Sequence, residues 1–68
     1  MDKTTAQTFV VGKKVYEIEK DKEFTSSYSV RIISVDGKGQ RMTKDLRNER
    51  CNIEVDKDGV CTKFLHWG

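Results

Sequence analysis

The apolar residues of this chain fall into separate short clusters, and their spacing predicts its elements. Phe9-Val10-Val11 forms one cluster, closed by Gly12-Lys13, while residues 1–8 are polar and are expected to fray. Between Lys14 and Phe24, Val15, Ile18 and Lys22 fit one stripe of a helix, the lysine through its aliphatic stem. Tyr16 and Ile18 in alternation fit a strand as well. Glu19, Lys20, Lys22 and Glu23 are good helix formers and favour the helix. Thr25-Ser26-Ser27 reads as a break.

The second half reads as sheet. Ser29–Val35 is rich in β-branched residues and predicts a strand. Asp36-Gly37-Lys38-Gly39-Gln40 predicts a turn. Cys51-Asn52-Ile53-Glu54-Val55 alternates apolar with polar, the period of a half-buried strand. Asp56-Lys57-Asp58-Gly59 turns the chain, with Gly59 suited to a positive-φ position, and Val60–Trp67 returns as a final strand. The expected order is helix, strand, long polar loop, strand, turn, strand. This is an α+β arrangement in one domain over residues 1–68.

Composition narrows the function classes. The chain has 68 residues, 35% of them charged, with a formal net charge of +2. That charge is too small and too dispersed to point to nucleic acid. No apolar run approaches the roughly 18 residues that a membrane span needs, so no membrane partner is expected. The N-terminal MDKTTAQTFVVGKK has no apolar core long enough for a signal peptide, so the chain is expected to be intracellular or to have lost a leader. The composition suits a monomer, and no cofactor or metal is implied. Cys51, Cys61 and the single His66 lack the spacing of a zinc site. There is no phosphate loop and no serine or cysteine paired with a base at recognisable spacing, which argues against catalysis.

The informative segment is Gly39–Arg50. It joins two strands expected to be sheet neighbours, and loops of this length in compact domains usually carry function. Thr43-Lys44-Asp45-Leu46-Arg47-Asn48-Glu49-Arg50, then Cys51-Asn52-Ile53-Glu54-Val55-Asp56 and Asp58-Gly59-Val60, resembles the potato inhibitor I family of serine-protease inhibitors, the eglin and barley chymotrypsin inhibitor type. The match runs ungapped through the last 26 residues to Gly68. Phe9-Val10-Val11-Gly12-Lys13 is similar to that family's entry to its one helix, and Val30-Arg31-Ile32-Ile33 to its central strand. The Arg-x-Asn ending at Asn52 is also similar to related microbial elastase inhibitors.

The resemblance implies a small mixed sheet with one helix packed on it and an extended protease-binding loop. It implies a reactive segment Met42, Thr43, Lys44, Asp45, Leu46 and Arg47, with the scissile bond between Lys44 and Asp45 and Lys44 in the enzyme's primary pocket. It also implies that Thr43 and Asp45 hydrogen-bond a supporting arginine, here Arg50. The family's second supporting arginine is replaced by Asn52, which is expected to support the loop by hydrogen bonding but without charge, the stretch from Val35 to Thr43 is a few residues longer, and the helix segment is shorter. Leu65 stands where proline is common, and Asn48 where some members have cysteine. A lysine at the specificity position suits a trypsin-like enzyme, with subtilisin-like targets also open. Arg47 is expected at the rim, Trp67 and Phe64 in packing, and His66 at the surface. The alternatives are a non-inhibitory binding module on the same fold, or a nucleic-acid binder using Lys13, Lys14, Arg31, Lys38, Arg41 and Arg47.

The final hairpin also constrains the cysteines. If Val55 pairs with Cys61, Cys51 lies four positions along the ladder, roughly 13 Å away. A disulfide needs Cα atoms within about 7 Å. If Val55 pairs with Val60, the two side chains point to opposite faces. Free thiols follow in either register. The mass of the purified monomer should equal the fully reduced formula, and a mass two units lower would contradict this.

Overall fold

The structure, a computed structural model, describes residues 1–68. Its elements are α1 (Lys3–Val10), α2 (Val15–Lys20), α3 (Lys22–Thr25), β1 (Ser29–Val35), β2 (Lys38–Gly39), β3 (Arg50–Val55) and β4 (Cys61–Trp67). One four-stranded sheet has the order β2-β1-β3-β4. β1 runs antiparallel to β2 and parallel to β3, and β3 runs antiparallel to β4. The architecture is α+β with a mixed sheet, as expected, but three short helices replace the single one.

The first correction concerns the N-terminus. Where a frayed end is expected, Lys3–Val10 form a helix that Asp2 caps, its carboxylate accepting from the Thr5 amide at 2.7 Å. Ala6 and Val10 then lie a turn apart on one face and are fully buried. The polar composition hid this, because Ala6 and Val10 are the two fully buried residues of α1, with Phe9 packed against the core beside them.

The second correction concerns Lys14–Phe24. The predicted helix is divided at Asp21, whose backbone is extended and whose carboxylate accepts from the Phe24 amide at 2.9 Å. An aspartate inside a helical pattern competes for nearby backbone N–H groups, and here it starts a new helix instead of continuing the old one. Ile18 from α2 and Phe24 from α3 are buried, whereas Lys22, expected on the same stripe, is exposed.

Ala6, Val10, Ile18 and Phe24 meet Cys51, Ile53, Val55 and Cys61 in one apolar core. Phe9, Phe24, Tyr28, Trp67 and Phe64 form a continuous aromatic chain with successive ring centroids 5.2–5.7 Å apart. Phe64 and Trp67 therefore pack as expected. The three expected strands agree with the sequence to within one residue at each end, and β2 lies inside the stretch expected to be only a turn. Val55 pairs with Cys61, and both cysteines are free and buried. Burial, with Cys61 as a neighbour, pushes the Cys51 thiol up to about 11, and burial raises Cys61 as well. No helix is long and apolar enough to cross a membrane.

The stretch between Val35 and Thr43 opens with a hairpin. Asp36 and Gly37 have φ of 52° and 82°, the left-handed pair of a two-residue turn that matches strand twist. Lys38 and Gly39 then fold back on Val35 and Ser34. The stretch is thus anchored to β1 and does not hang as slack.

Docking of α1 is the least expected feature of the fold. Val10→Ala should lower stability by roughly 2 kcal/mol, from the lost methyl burial plus the cavity left behind. Urea unfolding would show this as a lower midpoint at unchanged slope. An unchanged midpoint would mean that α1 does not pack.

Candidate functional site

β1 and β3 are parallel, so the chain leaving β1 must travel back along the sheet before β3 can start. It does so without a helix, through an irregular segment in which Arg41–Glu49 are all exposed. Leu46 is 85% exposed and Met42 53%, large apolar side chains held in solvent. A hollow lined by Arg31, Met42, Leu46, His66 and Trp67, among others, lies between this loop and the end of β4.

The sheet offers the loop a polar face. Cys51, Ile53 and Val55 are turned to the helices, while Arg50 and Asn52 take the opposite side of β3. Arg31, Asn52 and His66 stand directly across from one another on β1, β3 and β4, and residues so placed share a face. Asn52 is fully buried, contrary to the half-exposed place that the alternation suggests, with Arg31, His66 and Gly68 packed around its side chain.

Two arginines rise from this face to the loop, on either side of Lys44. Arg50 donates through Nη2 to the Asp45 carbonyl oxygen at 2.8 Å and through Nη1 to Asp45 Oδ2 at 3.3 Å. Its Nε donates to the Gly68 oxygen at 2.8 Å. Arg31 donates through Nη1 to both the carbonyl oxygen and Oγ1 of Thr43, each at 3.4 Å, and lies 3.9 Å from Asp45 Oδ1. Its Nε donates to Asn52 Oδ1 at 2.8 Å. The Thr43 hydroxyl in turn donates to Asp45 Oδ1, so a side-chain bridge spans Lys44.

Asp45 therefore carries the electrostatics of the loop. The Thr43 hydroxyl first, then Arg47 and Arg50, hold its carboxyl well below the usual carboxylate range. Arg47 donates to Asp45 Oδ2 at 3.3 Å from a largely exposed position at the rim, as a further partner of Asp45 beside Thr43, Arg31 and Arg50. Exposed ion pairs of this kind contribute little singly. The two arginines beneath are different: their side chains are only 19% and 11% exposed, which fixes their forks in place.

Of the residues singled out in the sequence, Thr43, Asp45, Arg47, Arg50 and Asn52 are brought into one network. Met42, Lys44 and Leu46 stand exposed around it. Asn52 touches the Gly68 oxygen at 3.1 Å and His66 Nδ1 at 3.2 Å, and reaches the loop only through Arg31. Arg31 is the residue that the sequence reading missed as a support. The signal was its place in β1, but using it requires knowing that β1 and β3 are parallel and that Arg31 faces Asn52. Three of the six basic residues considered for nucleic acid are engaged elsewhere: Lys13 with the Phe9 carbonyl at 2.8 Å, Arg31 with Thr43, and Arg47 with Asp45. Comparisons of the chain with protein-family models, with curated proteins and with solved structures find no match.

The lowered acidity of Asp45 has a signed consequence. A carboxyl whose folded value lies below its unfolded one stabilises the folded loop above the unfolded value, about 3.9, and loses that effect as pH falls through the folded one. A carboxyl NMR titration should find Asp45 still ionised where an unpartnered aspartate has taken up its proton. Titration at the ordinary value would contradict the network.

Proposed function

We propose that this protein is a reversible, substrate-like inhibitor of a serine endopeptidase, with Lys44–Asp45 as the scissile bond. The observation that carries the reading is the bracing of an otherwise exposed loop on both sides of one lysine. Thr43 is tied to Arg31 and Asp45 to Arg50. The similarity of Thr43–Asp56 to the potato inhibitor I family supports the same reading.

An exposed loop already ordered around one residue loses little conformational freedom when an enzyme closes on it, and affinity rises accordingly. Lys44 then enters an acidic primary pocket, which favours a trypsin-like target. Attack by the enzyme's serine on the Lys44 carbonyl forms an acyl-enzyme and frees the Asp45 amine. In an ordinary substrate that amine diffuses away before water arrives. Here Arg50 holds both the carbonyl and the carboxylate of Asp45, so the amine stays beside the acyl group. Its return attack restores the peptide bond and releases the serine. Slow net hydrolysis follows from this competition between amine and water.

Leu46 and Met42 flank the bond as apolar contacts for the enzyme surface. They are costly to leave in solvent, and their exposure is consistent with burial on binding.

A panel of trypsin, chymotrypsin and subtilisin, followed by mass mapping of any cut, tests the proposal. Tight inhibition of trypsin with slow cleavage after Lys44 is the expected result. Rapid digestion, or no effect on any of the three, would overturn it. Arg50→Ala should weaken inhibition by about tenfold to a hundredfold, the scale of lost hydrogen bonds to a charged group, and speed cleavage while the fold persists. Arg50→Lys should recover little, because an ammonium cannot reproduce the fork.

A further inference from the structure

The polar contacts beneath the loop close on themselves. Asn52 Oδ1 accepts from Arg31 Nε, Arg31 Nη1 donates to Thr43 Oγ1, and that hydroxyl donates to Asp45. Asp45 Oδ2 accepts from Arg50 Nη1, Arg50 Nε donates to the Gly68 oxygen, and Asn52 Nδ2 donates to the same oxygen. Thr43 and Asp45 form the loop side of the ring. Arg31, Asn52, Gly68 and Arg50 form the sheet side.

On the sheet side Asn52 links the two arginine arms, bonding Arg31 directly and meeting Arg50 at the Gly68 oxygen. It is fully buried, and its hydrogen bonds go to Arg31, His66 and Gly68, not to the reactive segment. Its orientation is forced by chemistry: a guanidinium has no acceptor, so Oδ1 must face Arg31, which leaves Nδ2 to donate to the Gly68 oxygen. A reversed amide would set an NH2 group against Arg31 and a carbonyl against the Gly68 oxygen, and lose both bonds.

We propose that Asn52 is a positioning residue that couples Arg31 to Arg50, so that the two arginines order the reactive loop as one unit. An arginine in place of Asn52 would supply charge but no acceptor for Arg31. Here the second charge comes from the neighbouring parallel strand, and the asparagine sets its position. Arg31 is held at Nε and presents Nη1 to Thr43, a two-ended role that a lysine cannot fill. The ring also accounts for a fully buried amide between the core residues Cys51 and Ile53. With its oxygen and nitrogen both bonded, the amide carries little desolvation cost.

The inference deepens the inhibitor reading and rests on it for its biological use, but it can be tested without any protease. Backbone order parameters of Thr43, Lys44 and Asp45 in the free protein would be measured for Arg31→Ala, Asn52→Ala, the double variant and Arg31→Lys. The wild-type loop should lie near the rigid range of about 0.85, and either single alanine variant should drop it toward about 0.6 or below. The double variant should fall no further than the singles, since each already opens the ring. Arg31→Lys should remain loose. Additive losses, an unchanged loop in Asn52→Ala, or a rigid loop in Arg31→Lys would each overturn the coupling. If Asn52→Ala does not fold, the comparison of Arg31→Ala with Arg31→Lys decides. The same variants should show about tenfold faster trypsin cleavage after Lys44. A wild-type protein that inhibits no protease, with order parameters behaving as described, would remove the functional reading and leave the ring standing.

Discussion

Two parallel neighbours in a sheet cannot be joined by a tight turn, and the parallel pairing of β1 with β3 governs where the rest of this molecule can go. The chain must cross back over the length of a strand, and with no helix to do so it crosses as an exposed loop. The same pairing sets Arg31 opposite Asn52 and Ser29 opposite Arg50. The strand leaving the loop and the strand entering it thus each supply an arginine beneath its crest. A β1–β3 pair of the opposite sense would remove the need for a long crossover and this shared register together.

The loop is unusual in combining exposure with constraint. Every residue from Arg41 to Glu49 is exposed, yet Thr43 and Asp45 are both fastened to groups that are not. A flexible exposed loop offers a protease a substrate, whereas a fastened one offers a bond whose products remain in register. That difference, more than the identity of Lys44, separates an inhibitor from a digestible segment. The small core sets the scale within which such a device works. Eight buried apolar side chains hold the domain, so one or two kcal/mol spent on ordering a loop is a large share of its stability.

Much of this was legible in the amino-acid sequence, for identifiable reasons. The β-branched run Ser29–Val35 and the alternation over Cys51–Val55 are local signals, and local signals predicted both strands. The Asp-Gly and Asp-Lys-Asp-Gly turns follow from the same short-range chemistry. What was hidden depends on tertiary context. Ala6 and Val10 are too few to mark a helix within a polar stretch, and Asp21 reads as a helix residue until its carboxylate is seen capping α3. Asn52 looks like the exposed half of an alternating strand because nothing in its neighbourhood announces the cover above it. Arg31 looks like a solvated cation for the same reason. The candidate site was thus half readable: the loop from its length, Arg50 from the family resemblance, and Arg31 only from the pairing of strands distant in sequence.

The central claim is that a braced loop keeps the Lys44–Asp45 bond in reversible exchange. Its most direct test starts from the wrong end: protein cleaved after Lys44, with both fragments associated, is incubated with a catalytic amount of trypsin and followed by mass. The account predicts that intact chain reappears, reaching the same ratio of intact to cleaved protein as a sample started intact. Cleaved protein that stays cleaved, or is digested further, would contradict it.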